Sequence, residues 1–98
     1  MTLVLEEERG TVTIPEATLS ALVTRAAERV PGARIRRRRH VEVAITNRHA
    51  RVTLELAARY GLVLPELARE VQQEVRGALE AMCGVEVTAV DVAIEEVE

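Results

Sequence analysis

Apolar and polar residues alternate twice in the middle of the chain. Val41, Val43 and Ile45 interleave with His40, Glu42 and Ala44; Val52, Leu54 and Leu56 interleave with Thr53, Glu55 and Ala57. A period of two puts each set on its own face of a strand, so the runs predict a hairpin with one apolar and one polar face. A two-residue turn at Asn47-Arg48 sets Val43 opposite Val52 and His40 opposite Glu55. A turn centred on Arg48-His49 would oppose Glu42 to Glu55, two like charges. Asn tolerates positive φ, so the first register is expected.

Helical spacing flanks the hairpin. Upstream, Thr11-Val12-Thr13-Ile14 reads as a short strand, and Pro15-Glu16 suits a first helical turn, where Pro loses no useful donor and Glu meets the positive dipole end. Leu19, Leu22, Val23, Ala26, Ala27 and Val30 then form one stripe, stopped by Pro31-Gly32. Downstream, Leu64, Ala68, Val71, Val75, Ala78 and Met82 fall at spacings of four and three, and Gly84 is placed for a left-handed C-terminal cap. Val85-Glu86-Val87 and then Val90, Val92 and Ile94 return as a strand.

The order is β-α-β-β-α-β. It predicts an α+β two-layer sandwich, a four-stranded antiparallel sheet with both helices on one face, ferredoxin-like or a close variant. The ferredoxin-like strand order would be 4-1-3-2; another two-layer arrangement of the same elements stays open. Leu3-Val4-Leu5 either extends the sheet or is a loose arm. Residues 1–9 are set apart as an N-terminal arm and residues 10–98 as one domain, since 98 residues hold one modest core.

Composition changes the picture in two ways. There is no Phe or Trp and only Tyr60, so the core must be Val, Leu, Ile and Ala. The net charge of −3 hides an asymmetry: residues 34–59 carry eight Arg and two Glu (+6), and residues 60–98 carry nine acids and two Arg (−7). Cys83 is alone, which excludes an internal disulfide and suits a reducing compartment. Glu6-Glu7-Glu8 interrupts the one early apolar run, and no 18-residue apolar stretch occurs. A cytoplasmic protein is expected.

The inventory for chemistry is thin. His40 and His49 are the only histidines, and there is no CxxC, HxxxH or HExxH, so no metal site is expected and both read as solvated hairpin histidines. Cys83 near a helix C-terminus reads as a small buried residue. Ser20 lacks a GxSxG setting, and neither a P-loop nor GxGxxG is present, so no catalytic residue and no cofactor is assigned. Arg34, Arg36, Arg37, Arg38 and Arg39 form a dense basic cluster able to meet phosphate. The polar sheet face would show Thr11, Thr13, His40, Glu42, Ala44, Thr53, Glu55, Ala57, Asp91 and Ala93, which offers no aromatic for base stacking, and no GXXG occurs. Nucleic-acid binding would rest on the cluster alone. Arg37 and Arg39 cannot be buried unpaired beside Val41, so the regular strand should start near His40.

Several of these segments together resemble the alkaline shock protein family, an envelope stress response family found mainly in Gram-positive bacteria. They are Gly10-Thr11-Val12-Thr13-Ile14-Pro15-Glu16, Tyr60-Gly61-x-x-Leu64-Pro65-Glu66-x-Ala68, Val71-Gln72-x-x-Val75, Ala78-Leu79-Glu80-x-Met82-x-Gly84-Val85-Glu86-Val87 and Val90-Asp91-Val92. The resemblance implies a small non-enzymatic cytosolic protein, and for some members self-association and a membrane-anchored partner at the inner membrane face. Many members carry a longer Gly- and Lys-rich insertion where this chain has only Pro31 to Arg39.

In the 4-1-3-2 order the edges are the hairpin's first strand, entered through Arg34–Arg39, and the last strand with Glu86, Asp91, Glu95 and Glu96. A basic and an acidic edge either pair between copies or keep both edges unpaired. These nine residues are the expected interaction surface, on an interaction or scaffold protein. The alternative is a module that binds nucleic acid or an anionic surface through Arg34–Arg39.

Overall fold

The Asn47-Arg48 turn is formed as the alternation demands. In the computed structural model, which describes residues 1–37 and 40–98, both turn residues take positive φ (49° and 63°), the two-residue geometry that matches strand twist. It joins β4 (Glu42–Thr46) to β5 (His49–Ala58), with Val43 opposite Val52. Ala50, Val52, Leu54, Leu56 and Ala58 on β5 are buried, while His49, Arg51 and Thr53 are exposed and Glu55 is half-buried. Both helices therefore lie on the first of these faces.

The elements preceding β4 are β1 (Leu3–Glu7), β2 (Gly10–Ile14), α1 (Glu16–Glu28) and β3 (Ala33–Arg34); after β5 come α2 (Leu64–Cys83) and β6 (Glu86–Val97). In the main sheet β5 is central. β3 and β4 both lie antiparallel along one side of it, and β6 lies parallel along the other. The α+β class, the mostly antiparallel four-stranded sheet and the two helices are as expected. The strand order 4-1-3-2 is not adopted. β2, expected inside the sheet, pairs instead with β1 from Leu3↔Ile14 to Glu7↔Gly10 as a separate two-stranded sheet. The pairing is local, so it closes a loop of two residues rather than one reaching across the domain. With β2 withdrawn, β6 reaches β5 directly. The first residues thus form a paired strand: Leu3 is buried, Leu5 is half-buried, and its partner Val12, midway along the hairpin, is exposed.

α2 starts with Pro65 in its first turn and ends at Gly84 in the left-handed region, as expected. Its inward stripe is rotated from the predicted seam. Leu67, Val71, Val75, Ala78, Leu79 and Cys83 are buried, and Met82 is 67% exposed. The burial of Cys83 disfavours the thiolate and pushes its pKa up, so it is a core residue and not an activated thiol. Among the described residues, helices and sheet share one core whose largest fully buried side chains are Leu and Val.

One core position is mismatched. Thr24 of α1 is buried, and its hydroxyl has no hydrogen-bond partner. Thr24→Val keeps the shape and removes the orphan group, and should raise stability by about 1–2 kcal/mol. An unchanged midpoint in urea would show that the hydroxyl is satisfied.

Candidate functional site

The polar face of the sheet brings the basic connection and the acidic last strand together. In the ladder, Arg34 of β3 stands beside Ala57 of β5, which stands beside Glu96 of β6. A small residue in the middle lets the flanking charges meet over it. Arg34 pairs with Glu98, and Arg36 pairs with Glu96. The Glu96 carboxylate, by hydrogen bond and charge, holds the Arg36 guanidinium pKa above its usual value. Further along, Arg51 donates from Nε to Asp91 Oδ2 at 3.0 Å with its Nη2 2.8 Å from the same oxygen, and His49 Nε2 lies 3.1 Å from Glu86 Oε2.

Of the nine residues expected to form an interaction surface, Arg34, Arg36, Glu86, Asp91 and Glu96 are thus paired within the chain. The side chains of these five are about half exposed or more, so the pairs add little to stability and yield to salt. The pairs act mainly to neutralise: Arg34, Arg36 and Arg51 of the basic block meet Glu98, Glu96 and Asp91 of the acidic one. Arg38 and Arg39 lie outside the described residues.

Glu95 and Arg37 belong to a cleft of about 160 Å³ in the same face, also lined by Arg36, His40, Glu55 and Glu96. Two irregularities create it. β4 covers β5 only from His49 to Thr53, and β3 covers it only at Ala57 and Ala58. Leu54, Glu55 and Leu56 therefore have no strand partner on that side among the described residues. On the other side the β5–β6 register shifts between Leu56 and Ala57: Leu56 pairs with Ile94, Ala57 with Glu96, and Glu95 is the extra residue. A bulge of this kind re-aims a side chain. Here it turns consecutive carboxylates to the polar face, Glu96 toward Arg36 and Glu95 toward Glu55.

His40 meets Glu55 as the hairpin register predicts, Nδ1 against Oε2. Both side chains are about one-third exposed, but Glu55 Oε2 itself is shielded from solvent and has no hydrogen bond of acceptable geometry. One ligating atom each from His40, Glu55 and Glu95 lies within 4.8 Å of the others. Sequence reading treated His40 as a solvated hairpin residue. The signals that were present gave His40 opposite Glu55 and, by alternation with Asp91 and Ala93, Glu95 on the same face; what alternation does not give is the β5–β6 register that sets Glu95 near Glu55.

The other side of β6 is open. Its Val87 N–H donates to Glu80 and its Val90 carbonyl accepts from Gln72, both on α2. Among the described residues no strand pairs with β6 on the side away from β5. The opposite edge is partly covered: the Ile45 N–H of β4 meets the Met1 sulfur, and the Met1 amino group pairs with Glu16. No described helix is long and apolar enough to cross a membrane.

No curated protein matches this sequence significantly. Solved structures similar in fold include the MamM CTD in a cadmium form (20% identity, TM-score 0.58, covering 84% of this chain and 96% of that one). A copper form gives 19% identity and a TM-score of 0.59 over 86% of this chain and 100% of that one. A manganese form gives 17% and 0.58 over 84% and 99%. At such identity the likeness establishes the fold, two helices on a mostly antiparallel sheet, and nothing further. The sequence itself is more specific. The model of the alkaline shock protein 23 family, described as having a cell envelope-related function, matches residues 33–98, from β3 through β6. That span covers the main sheet and α2 and four of the five segments that suggested the resemblance, Gly10–Glu16 lying outside it, and by this match the chain belongs to that family.

Proposed function

We propose that the protein is a non-enzymatic interaction protein of the cell envelope, working by self-association or by binding a membrane-anchored partner from the cytoplasmic side. The observation that carries this reading is the open side of β6. A strand of twelve residues paired on one side only is a template for a further strand, from a second copy or from a partner. Asp91, Glu95 and Glu96 along it favour a basic or neutral strand and disfavour β6 pairing with itself. The partly uncovered apolar face of the β1–β2 hairpin adds a second surface of the same kind.

Use of Arg34–Arg39 as an anion-binding patch has less support, because Arg34 and Arg36 are held by Glu98 and Glu96. Light scattering over a salt series tests self-association. Concentration-dependent assembly that responds to salt is expected. A strict monomer at low salt and high concentration removes self-association, and failure to retain any envelope protein on immobilised chain would then remove the partner reading as well.

A further inference from the structure

We propose that His40, Glu55 and Glu95 form a binding site for a divalent transition-metal ion of the zinc, cobalt or nickel type. The site takes Glu95 from β6 but lies on the polar face and not on the free backbone side of that strand, and it does not depend on the interaction reading. Its donors are one imidazole nitrogen and two carboxylate oxygens, a set that suits borderline divalent metals, with water filling the remaining positions.

Three observations converge on it. The ligating atoms already lie within 4.8 Å of one another, so small side-chain rotations bring them to one ion. Glu55 Oε2 is shielded from solvent without a satisfying hydrogen bond, and it faces the Nδ1 of His40. Two lone-pair atoms facing one another in a partly dry place are stabilised only by something positive between them, a proton or a metal ion. Finally, Glu95 shares the polar face with Asp91 and Ala93 by strand alternation, and the gap beside Leu54, Glu55 and Leu56 leaves it and Glu55 uncovered on that face; the bulge adds only Glu96.

The surrounding charge permits a cation. Among the described residues the cleft holds three carboxylates, Glu55, Glu95 and Glu96, against two guanidiniums, Arg36 and Arg37. Arg36 is tied to Glu96, which leaves the His40–Glu55–Glu95 corner acidic. The Arg36–Glu96 pair lies beside the site without belonging to it and moderates its potential.

Titration calorimetry of the full chain, stripped with a chelator and titrated with zinc chloride, tests the site. One ion per chain is expected. His40→Ala, Glu55→Gln and Glu95→Gln should each weaken binding at least about tenfold, as removal of even a supporting residue can. His49→Ala changes the only other imidazole, outside the cleft, and should leave binding unaltered. Arg36→Gln removes a positive charge and frees Glu96, and should tighten binding several-fold, which a damaged fold would not do. Circular dichroism of each variant separates lost binding from lost structure. Cobalt should give visible bands that vanish in His40→Ala. Absence of zinc binding up to about millimolar, a concentration too high for a specific site, would overturn the proposal. So would binding that survives His40→Ala but not His49→Ala.

Discussion

Leu54→Ala should lower the stability of the protein by about 3–4 kcal/mol, read as a fall in the urea midpoint at constant slope. Leu54 is fully buried on the central strand, beside Val92 of β6, under both helices. The size of the effect follows from composition. With no Phe or Trp, the core draws its large apolar groups from a few leucines, and Leu19, Leu54, Leu56 and Leu79 head the fully buried side chains. Each holds a large share of the buried area. A domain of this length is stable by about 5–10 kcal/mol, so one such cavity removes a third or more of the total. Met82→Ala is the informative control. The helical seam read from sequence turned Met82 inward, whereas it is 67% exposed, so its removal should change stability by less than about 0.5 kcal/mol. A comparable loss from both substitutions would mean that α2 is rotated toward the predicted seam.

The difference between those two residues shows where sequence reading works. Alternation in β4 and β5 left only two registers, and like-charge repulsion with the φ tolerance of Asn47 chose between them; Val43 stands opposite Val52 and His40 meets Glu55. Both rules act between neighbours. In α2 the apolar residues are numerous enough to support two stripes differing by one position, and the choice depends on where β6 lies. β6 in turn depends on β2, whose pairing with Leu3–Glu7 is a competition between a near strand and a distant one that alternation alone does not decide. The family match over residues 33–98 leaves β1, β2 and all of α1 outside, the same region where the expected sheet order fails.

The charge blocks were legible as composition but not as contacts. Residues 34–59 are basic and 60–98 acidic, which suggests two surfaces for outside partners. Folding pairs Arg34 with Glu98, Arg36 with Glu96 and Arg51 with Asp91, so part of the asymmetry is neutralised inside the molecule. The outward feature that the charge blocks did not signal is backbone: the side of β6 away from β5, a feature of topology and not of any residue type. The cleft has the same origin, since it opens where two short strands leave a gap along β5 and a bulge answers it on β6.

Gly32→Ala should be the costliest change outside the core, at about 2–4 kcal/mol. Gly32 joins α1 to β3 at φ +92°, a conformation that a residue with a Cβ holds only at a cost of about 1–3 kcal/mol. The added Cβ would also overlap Leu62 Cδ1. The backbone has little freedom to move aside. The Gly32 carbonyl accepts from Arg59 N–H at 2.9 Å, and the next residue, Ala33, begins the ladder to Ala58. Leu62 can yield, since the clash involves the tip of a half-buried side chain. The cost therefore has two separable parts. In a Leu62→Ala background the steric part should vanish and the backbone part remain, a coupling of about 1 kcal/mol in a double-mutant cycle. Gly84 calibrates the backbone part. It caps α2 at φ +65° with nothing within 4 Å of the position a Cβ would take, so Gly84→Ala should cost only about 1 kcal/mol. Equal losses at the two glycines, with no coupling to Leu62, would show that the α1–β3 junction is looser than its geometry requires.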